Sequence, residues 1–269
     1  MITVNSDNFD LKKIADSGQC FRMVMCESDK ARVAAAGKLL YIVNRGSGNF
    51  EFSCTEKEYA DYWHDYFDLG TDYAVYKASV DPKDVFLTKA AEYGTGIRIL
   101  KQEKFETLIS FIISQRKNIP AIQSSVERLC RTCGRRIEDG IYAFPEPEAL
   151  ASLSDRELSA CSLGYRTQYV REAAIRVASG DKDLEALNGL SDDELFSELI
   201  SFYGVGRKVA NCVMLFAYHR IGAFPEDVWI KRIEDGHYNG RFPVEKYPGF
   251  AGIMQQYMFF YSRETAGKP

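Results

Sequence analysis

The pattern of apolar and polar residues changes character about a quarter of the way along the chain. Before that point, short β-prone runs such as 39–43 alternate with asparagine and glycine turn residues between positions 44 and 49. After it, apolar residues recur at helical spacing. We therefore expect a domain of strands and turns over residues 1–70 and a helical domain over residues 71–269.

Three local signals predict where helices begin or break. Residues 105–129 carry apolar side chains at helical spacing, and Pro120 predicts a kink or break within this stretch. Two capping boxes, at Ser154 and at Ser191, predict helix starts. The helix that follows Ser191 is expected to end at Gly204.

A glycine turn joins that helix to the next one. The turn reads Gly204-Val205-Gly206, and Lys208 follows it in a helix-forming run. Such a turn exposes successive backbone N–H groups at a helix start, which suits a phosphate. We interpret this helix-hairpin-helix as a DNA phosphate-binding unit in which Gly204 and Gly206 contact the backbone. The alternative is a common turn followed by a solvated surface lysine.

A carboxylate that follows a proline is the second candidate for chemistry. Asp227 lies two residues after Pro225, at the start of another predicted helix. An amine beside a DNA backbone, with a carboxylate to steer charge, has the groups needed to attack a sugar carbon. The alternative role for Asp227 is to cap the helix, and the two roles are compatible.

Composition restricts the class of protein without deciding the function. The chain has 269 residues, 46% of them apolar, and a net charge of −4. This charge argues against a general nucleic-acid coat but allows a local basic face. Residues 98–136 contain nine Lys or Arg against three Glu, which could form that face or an ordinary solvated helix surface.

The cysteines predict neither disulfides nor a metal site. There are seven, and Cys130 and Cys133 form a single C-x-x-C motif without a second pair to complete a zinc site. The amino terminus lacks the features of a signal peptide, and no run has the length of a membrane helix. We expect a soluble cytoplasmic protein with reduced thiols, no cofactor and no bound metal.

Several segments together carry a resemblance to a known family. In chain order they are 17–22 (SGQCFR), 109–114 (ISFIIS), 163–166 (LGYR), 202–210 (FYGVGRKVA), Asp227, 251–255 (AGIMQ) and Phe259. The chain resembles the 8-oxoguanine DNA glycosylase/lyases of the helix-hairpin-helix superfamily, particularly the bacterial branch. The match spans nearly the whole chain.

The resemblance implies an α+β fold, with an N-terminal antiparallel β-sheet domain followed by an all-α helix-hairpin-helix glycosylase domain. It also implies base excision repair of duplex DNA that contains 8-oxoguanine. Lys208 would attack C1′ of the damaged nucleotide, expel the base and form a Schiff base, and β-elimination would then nick the strand. Asp227 would stabilise the developing positive charge.

Four more residues would bind the flipped base, according to the same resemblance. Cys212 and Phe259 would sandwich it, and Gln255 would bond its Watson–Crick edge. The Gly18 carbonyl would accept the N7–H that distinguishes 8-oxoguanine from guanine. Without the resemblance, simpler interpretations would be favoured: Gly18 as a strand-turn glycine, Cys212 and Phe259 as core residues, and Gln255 as a helix-surface amide.

The remaining implied contacts are with the duplex. Tyr165 would wedge into the vacated stack, Arg166 would reach the unpaired partner base, and Trp229 would donate to a phosphate or simply pack. Eukaryotic members have a second arginine that reads the opposite cytosine, but Ala121 stands at that place here. Arg116 is the candidate substitute, so the opposite-base preference is open.

Three other classes compete with this interpretation. Iron–sulfur relatives need four cysteines near the C-terminus, and no cysteine follows Cys212, so we expect no such cluster. Alkylbase glycosylases lack the lysine found at Lys208. A non-catalytic DNA-binding module needs neither Lys208 nor Asp227. We expect a monomeric bacterial enzyme that acts on DNA and has no membrane partner.

Overall fold

The N-terminal strands form one antiparallel sheet. In the computed structural model, which describes residues 1–266, these strands are β1 (Ile2–Asn5), β2 (Met23–Met25), β3 (Lys30–Ala35), β4 (Lys38–Gly46) and β5 (Asn49–Phe52). Their order across the sheet is β1-β5-β4-β3-β2, and each neighbouring pair is antiparallel. The strands predicted from the β-prone runs are confirmed.

Two tight turns set the register of the central strands. Ala36 and Gly37 have φ of 48° and 67°, and Ser47 and Gly48 have φ of 50° and 74°. Positive φ at both central residues defines a type I′ turn, whose twist matches that of the paired strands. The asparagine and glycine positions in the sequence therefore mark real hairpin turns.

One face of the sheet is covered by short helices. These are α1 (Leu11–Asp16), α2 (Glu56–Glu58), a π-helical turn (Tyr59–Trp63) and α3 (His64–Tyr66). Phe52, Trp63 and Phe67 are at most 1% exposed, and the rings of Phe52 and Phe67 meet edge to face at 5.8 Å. The aromatic residues of this region thus build the core of the sheet domain.

The rest of the chain is mostly helical. Its helices are α4 (Ala74–Ala78), α5 (Val85–Tyr93), α6 (Lys104–Ser114), α7 (Ile119–Cys133), α8 (Pro147–Ala151), α9 (Asp155–Ala160), α10 (Thr167–Ala178), α11 (Asp192–Ile200), α12 (Arg207–Phe216), α13 (Val228–His237) and α14 (Ala251–Thr265), with 3₁₀ turns at Gly164–Arg166, Ala186–Gly189 and Val244–Lys246. The α+β fold class and the order of sheet and helices are confirmed. No helix within the described residues combines the length and apolar character needed to cross a membrane.

The expectation of an all-α second domain is corrected in one place. A small antiparallel hairpin, β6 (Arg136–Glu138) and β7 (Ile141–Tyr142), lies between α7 and α8. Gly140, with φ of 72°, lies in its turn. The strands of this hairpin are too short to show an alternating pattern in the sequence. The helical patterns on either side of the hairpin therefore led to the prediction of helix alone.

The predicted helix signals have clear structural counterparts. Both capping boxes are complete, with reciprocal bonds between Ser154 and Glu157 and between Ser191 and Glu194. The predicted break near Pro120 lies between α6 and α7, and the Asn118 side chain caps α7. Such local signals succeed because cap and chain break involve residues that are close in sequence.

The end of α11 differs from the prediction. The helix ends at Ile200, whereas the sequence pattern suggested Gly204. Residues 201–204 are turns instead, and they bury Phe202 to 1% exposure. The apolar spacing continued past the helix because Phe202 enters the core from a turn.

Two hydrophobic clusters fill the interior. One belongs to the sheet and its short helices and includes Leu100. The other extends through the helical region from Tyr73 to Phe260 and includes Phe21. Because Leu100 and Phe21 each join the cluster of the other region, the two regions pack against each other. The domain boundary at residue 70 stays a prediction.

The basic face expected over residues 98–136 is smaller than predicted. Arg98 is 2% exposed, and its guanidinium donates to backbone carbonyls, including those of Phe67 and Asp68. Lys101 and Lys104 form ion pairs with acidic residues elsewhere. These three cations therefore join regions of the protein, and only the later members of the run remain for a DNA face.

A buried ion pair connects the residue that precedes β2 to two helices. The Arg22 side chain donates to Glu127 at 3.0 Å and lies 4.0 Å from a carboxylate oxygen of Glu106. Burial raises the pKa of Glu106 to about 7, although the positive charge of Arg22 opposes this rise. The protein therefore holds a titrating carboxyl group in its interior.

We expect Glu106→Gln to flatten the pH dependence of stability. Because the folded-state pKa of Glu106 exceeds its unfolded value, its contribution to stability is complete at low pH and is lost as pH rises through about 7. Between about pH 5 and pH 8 the parent should therefore lose on the order of 2 kcal/mol more stability than the variant does. Urea unfolding at about pH 5 and pH 8 measures this, with exposed Glu92→Gln as the control. Parallel pH curves for parent and variant would contradict it.

Candidate active site

A glycine turn shapes the hairpin between α11 and α12. Gly204 has φ of 80°, and a Cβ atom there would lie 2.3 Å from the ring of Tyr169. Gly206 precedes α12 in an extended conformation and gives the helix no side-chain cap. The first amides of α12 therefore lack intrahelical partners and suit an anion.

Lys208 lies in the first turn of α12 and is half-buried. Its Nζ is 5.0 Å from the centroid of the Phe111 ring in α6, so an aromatic face covers one side of the ammonium group. Cys212 follows one helical turn later and is 3% exposed. Burial raises the pKa of the Cys212 thiol, and the positive charge of Lys208 partly offsets that rise.

Asp227 caps the start of α13. Its Oδ1 accepts hydrogen bonds from the backbone N–H groups of Trp229 and Ile230, each at 2.9 Å. Neither bond uses Oδ2. The negative charge of Asp227 raises the pKa of the Cys212 thiol, so Asp227 and Lys208 act on this thiol in opposite directions. The capping role is confirmed by this geometry.

Gly18 and Phe259 meet although 241 positions separate them in the sequence. Gly18 has φ of 76°, and a Cβ atom there would lie 3.2 Å from both the Phe259 ring and the Ile119 side chain. Any larger residue would be strained and crowded. The backbone of the Gly18 loop therefore lies directly against the Phe259 ring.

Gln19 fixes this loop, a role that sequence reasoning missed. Its buried amide donates to the carbonyl of Arg98 at 2.8 Å and accepts from the N–H of Leu100 at 2.8 Å. Arg263 of α14 donates to the carbonyl of Asp16, just before the loop. A polar residue in a Ser-Gly-Gln motif was a visible signal, but its partners lie too far along the chain to predict.

Gln255 is a buried residue of α14, so its interpretation as a helix-surface amide is wrong. It is 3% exposed, its Nε2 donates to the carbonyl of Pro225 at 3.1 Å, and its Oε1 accepts from Gln256 at 3.0 Å. Phe259 lies one turn further on the same face of the helix. Helix α14 thereby connects the Gly18 loop with the segment that carries Asp227.

The Tyr165–Arg166 pair lies beside the hairpin. Tyr165 is 53% exposed, whereas Arg166 is 6% exposed. The Arg166 guanidinium stacks on the Tyr165 ring at 4.3 Å and donates to the carbonyls of Leu163 and Gln115. In this conformation Arg166 is directed inward, and Tyr165 provides the exposed surface.

Gln115 is a second linking residue that sequence reasoning missed. Its Nε2 donates to the carbonyl of Gly204 at 3.0 Å, while its own carbonyl accepts from Arg166. The end of α6, the hairpin turn and the Tyr165 loop are thus held together by one residue. Arg116, the next residue, is exposed and has φ of 52°.

Two further predicted residues lie at helix starts. Trp229 is half-buried in the first turn of α13, with the Arg232 guanidinium 5.5 Å from its ring. Ala121 lies in the first turn of α7, and its N–H donates to the Asn118 cap. The helix start at Ala121 lies close to Arg116 along the chain.

The contacts divide the predicted residues into two groups. The first group runs from Gly18 through Phe259 and Gln255 to Asp227, Cys212 and Lys208. The second group surrounds the hairpin turn and comprises Gly204, Gly206, Tyr165, Arg166 and Arg116. Trp229 is joined to the first group because its backbone binds Asp227. The first group therefore combines an amine, a carboxylate and an aromatic ring, and the second group surrounds the glycine turn.

No part of residues 1–266 gathers three or more His, Cys, Asp or Glu side chains in a way that could hold a metal ion. All seven cysteines are free, including Cys130 and Cys133.

The fold and the hairpin define a helix-hairpin-helix DNA repair protein. Residues 109–240 match the model of the HhH-GPD superfamily of base excision DNA repair proteins, and residues 1–108 match the N-terminal domain of 8-oxoguanine DNA glycosylase. The chain belongs to the 8-oxoguanine DNA glycosylase family.

Solved structures and a curated relative agree with this assignment. The chain superimposes on MBOgg1 bound to a low-affinity DNA ligand with a TM-score of 0.92 and 37% identity, over 98% of this chain and 95% of the other. For the 8-oxoguanine glycosylase/lyase of Clostridium acetobutylicum, bound to DNA with cytosine opposite 8-oxoguanine, the TM-score is 0.91 at 34% identity, over 96% and 93%. A probable N-glycosylase/DNA lyase of Methanothermobacter thermautotrophicus is 27% identical over 74% of this chain and 73% of its own length.

Proposed function

We propose that the protein is a bifunctional DNA glycosylase/AP lyase that excises 8-oxoguanine from duplex DNA. One observation carries the proposal: a half-buried amine, Lys208, stands in the first turn after the glycine hairpin, and its charge and that of Asp227 both act on the Cys212 thiol. An amine nucleophile can form an imine with a sugar carbon, which a hydroxyl cannot.

The reaction follows from these two groups. The Lys208 amine forms a bond to C1′ as the glycosidic bond breaks, and the departing base takes that electron pair and a proton. The sugar ring opens to a Schiff base, loss of a C2′ proton expels the 3′ phosphate, and the strand is nicked. Asp227 stabilises the positive charge on the sugar and then on the imine.

Four residues are proposed to read the base once it has left the stack. Cys212 and Phe259 contact its two faces, and Gln255 bonds its Watson–Crick edge. The Gly18 carbonyl accepts N7–H of 8-oxoguanine. With guanine, that carbonyl would face a lone pair at N7, so the normal base leaves polar atoms unpaired and is rejected.

The duplex is proposed to dock on the hairpin side. The amides beside Gly204 and Gly206 hold a phosphate, and Trp229 donates to another. Tyr165 fills the gap left by the flipped base. Arg166 leaves its stacked position on the Tyr165 ring and then reaches the partner base, with Arg116 nearby. We further propose that the enzyme acts as a monomer in the bacterial cytoplasm, without an iron–sulfur cluster or other cofactor.

A comparison of duplex substrates tests this function. End-labelled duplexes that carry 8-oxoguanine, guanine or an alkylated adenine are incubated with the protein, and each is analysed with and without alkali. Base release and an alkali-independent nick only with 8-oxoguanine are expected. Release of alkylated adenine instead would favour a glycosylase for another damaged base. DNA binding without release would favour a non-catalytic module.

Discrimination of the opposite base should be modest because of Ala121. Cytosine is usually read by several donors, and here Arg166 is present while the second arginine is replaced. The loss of one good base contact is worth about 1–3 kcal/mol. We therefore expect single-turnover excision opposite cytosine to exceed that opposite the other bases by less than about a hundredfold.

Ala121→Arg should sharpen this preference, with Ala121→Leu as the control for size. The Asn118 cap of α7 accepts from the backbone N–H of Ala121, so either substitution keeps the donor of that bond. A wild-type preference above about a hundredfold, near the upper end for one contact, would mean that Arg116 or another group already reads cytosine.

A further inference from the structure

A second glutamine, Gln256, lies directly behind the proposed base-reading amide. Gln256 is 3% exposed, and its Nε2 donates to the Oε1 of Gln255 at 3.0 Å. It neighbours Gln255 in α14 and bonds to the residue that would read the base. Its own Oε1 has no hydrogen-bond partner among the described residues. The hydrogen bond to Gln255 is therefore the interaction that its amide makes there.

The Gln255 amide is held at both ends. Its oxygen accepts from Gln256, and its nitrogen donates to the carbonyl of Pro225 at 3.1 Å. A primary amide has two N–H groups and an oxygen with two lone pairs. One N–H and one lone pair of Gln255 therefore remain available to a base. The two neighbours determine which end of the amide carries the nitrogen and which the oxygen.

The orientation of the Gln255 amide matters because an amide can rotate by half a turn with little change in shape. Its oxygen and nitrogen are similar in size, so only hydrogen bonds decide which orientation is populated. Pro225 and Gln256 both oppose rotation of the Gln255 amide alone, since that rotation would break both bonds. Without Gln256, only one hydrogen bond would oppose the rotated state.

Guanine-type and adenine-type bases present opposite patterns to such an amide. A guanine-type edge offers the O6 acceptor next to the N1–H donor, whereas an adenine-type edge offers the N6 amino donor next to the N1 acceptor. The free N–H and lone pair of a fixed amide can pair with one pattern only. The other pattern would leave buried polar atoms unpaired.

We propose that Gln256 is a positioning residue that fixes the orientation of the Gln255 amide and so favours guanine-type over adenine-type lesions. This proposal rests on the proposed function, because it assigns Gln255 to the Watson–Crick edge. Gln256 itself touches no substrate. It acts through the single hydrogen bond to Gln255.

Two variants of Gln256 separate orientation from packing. Gln256→Met keeps the length of the side chain but removes the donor. Gln256→Glu, measured at a pH where the new carboxyl is ionised, replaces the donor with an acceptor, which attracts the nitrogen of Gln255 and favours the rotated amide. Ile253→Val, a methylene deletion at a position of α14 that is 1% exposed, controls for lost packing.

The readout is a ratio of affinities for uncleavable duplexes. These carry the 2′-fluoro nucleotides of 8-oxoguanine and 8-oxoadenine, each opposite cytosine. The preference for 8-oxoguanine should fall about tenfold in Gln256→Met, the effect of one neutral hydrogen bond, and further in Gln256→Glu. Ile253→Val should lower stability and leave the ratio unchanged. An unchanged ratio in both Gln256 variants overturns the proposal.

A second measurement keeps this proposal distinct from the function. Hydrogen exchange of the Gln255 side-chain amide, followed by NMR on the free protein, should quicken at least about tenfold in Gln256→Met relative to wild type. Unchanged exchange contradicts the proposed bond. If wild type bound 8-oxoguanine no better than guanine, the proposed function would fail, while the exchange rates would still decide whether Gln256 orients the amide.

Discussion

Lys208→Gln should abolish excision while leaving DNA binding and folding intact. Loss of a covalent nucleophile typically costs at least about a thousandfold in rate, because the remaining groups cannot replace the bond it forms. The substitution keeps a polar side chain of similar length in the first turn of α12, where Lys208 is half-buried against Phe111. Single-turnover base release and borohydride trapping on an 8-oxoguanine duplex measure the loss.

The neighbouring Arg207 provides a matched control. It lies in the same helical turn, is exposed, and stacks over Phe196 instead of Phe111. Arg207→Gln removes one positive charge from the same turn, so it should weaken binding modestly and leave trapping unaffected. If Lys208→Gln still cross-linked efficiently, the nucleophile would be another amine. If both variants lost excision equally, the effect would be one of charge and not of chemistry.

Asp227→Asn should reduce excision by about a hundredfold or more, the scale of a lost electrostatic contribution to the transition state. The two cap bonds both end on Oδ1, and an asparagine retains that acceptor. The helix start should therefore survive, and the loss should be confined to the charge. Single-turnover rates and thermal unfolding, measured on the same samples, separate the two effects.

Asp227→Ala completes the comparison because it removes both the charge and the cap. It should lose about 1 kcal/mol of folding stability in addition to the loss of rate. Equal stability of Asn and Ala variants would show that the cap is unimportant. Excision at the wild-type rate in Asp227→Asn would remove Asp227 from the mechanism, whatever its effect on folding.

The parts of the fold that the sequence predicted are those with local causes. The capping boxes at Ser154 and Ser191, the turn glycines of the sheet and the break near Pro120 each depend on residues within a few positions of one another. Their physical basis is a hydrogen bond or a backbone conformation that one or two residues decide.

The parts that escaped prediction depend on distant partners. Arg98 appeared to be a surface cation, but carbonyls around Phe67 bury and bind it. Gln19 and Gln115 looked like ordinary polar residues, yet each joins segments about 80 to 90 positions away. No periodicity records such contacts, because they arise only when the sheet region packs against the helices.

The site residues themselves were predicted from the resemblance and not from pattern alone. Composition and spacing indicated an amine after a glycine turn and a carboxylate after a proline. They gave no reason to join Gly18 with Phe259, which the structure brings into contact. They also gave no reason to expect Arg166 to be buried beneath Tyr165. The catalytic assignments stay predictions until they are tested.

The central claim is that the Lys208 amine forms the covalent intermediate. The direct measurement is to trap the wild-type protein on an 8-oxoguanine duplex with borohydride, digest the adduct with protease and nuclease, and locate the modified residue by mass spectrometry. The account predicts a sugar remnant on the peptide that contains Lys208. An adduct on another lysine or on the N-terminal amine, or base release without any adduct, would contradict it.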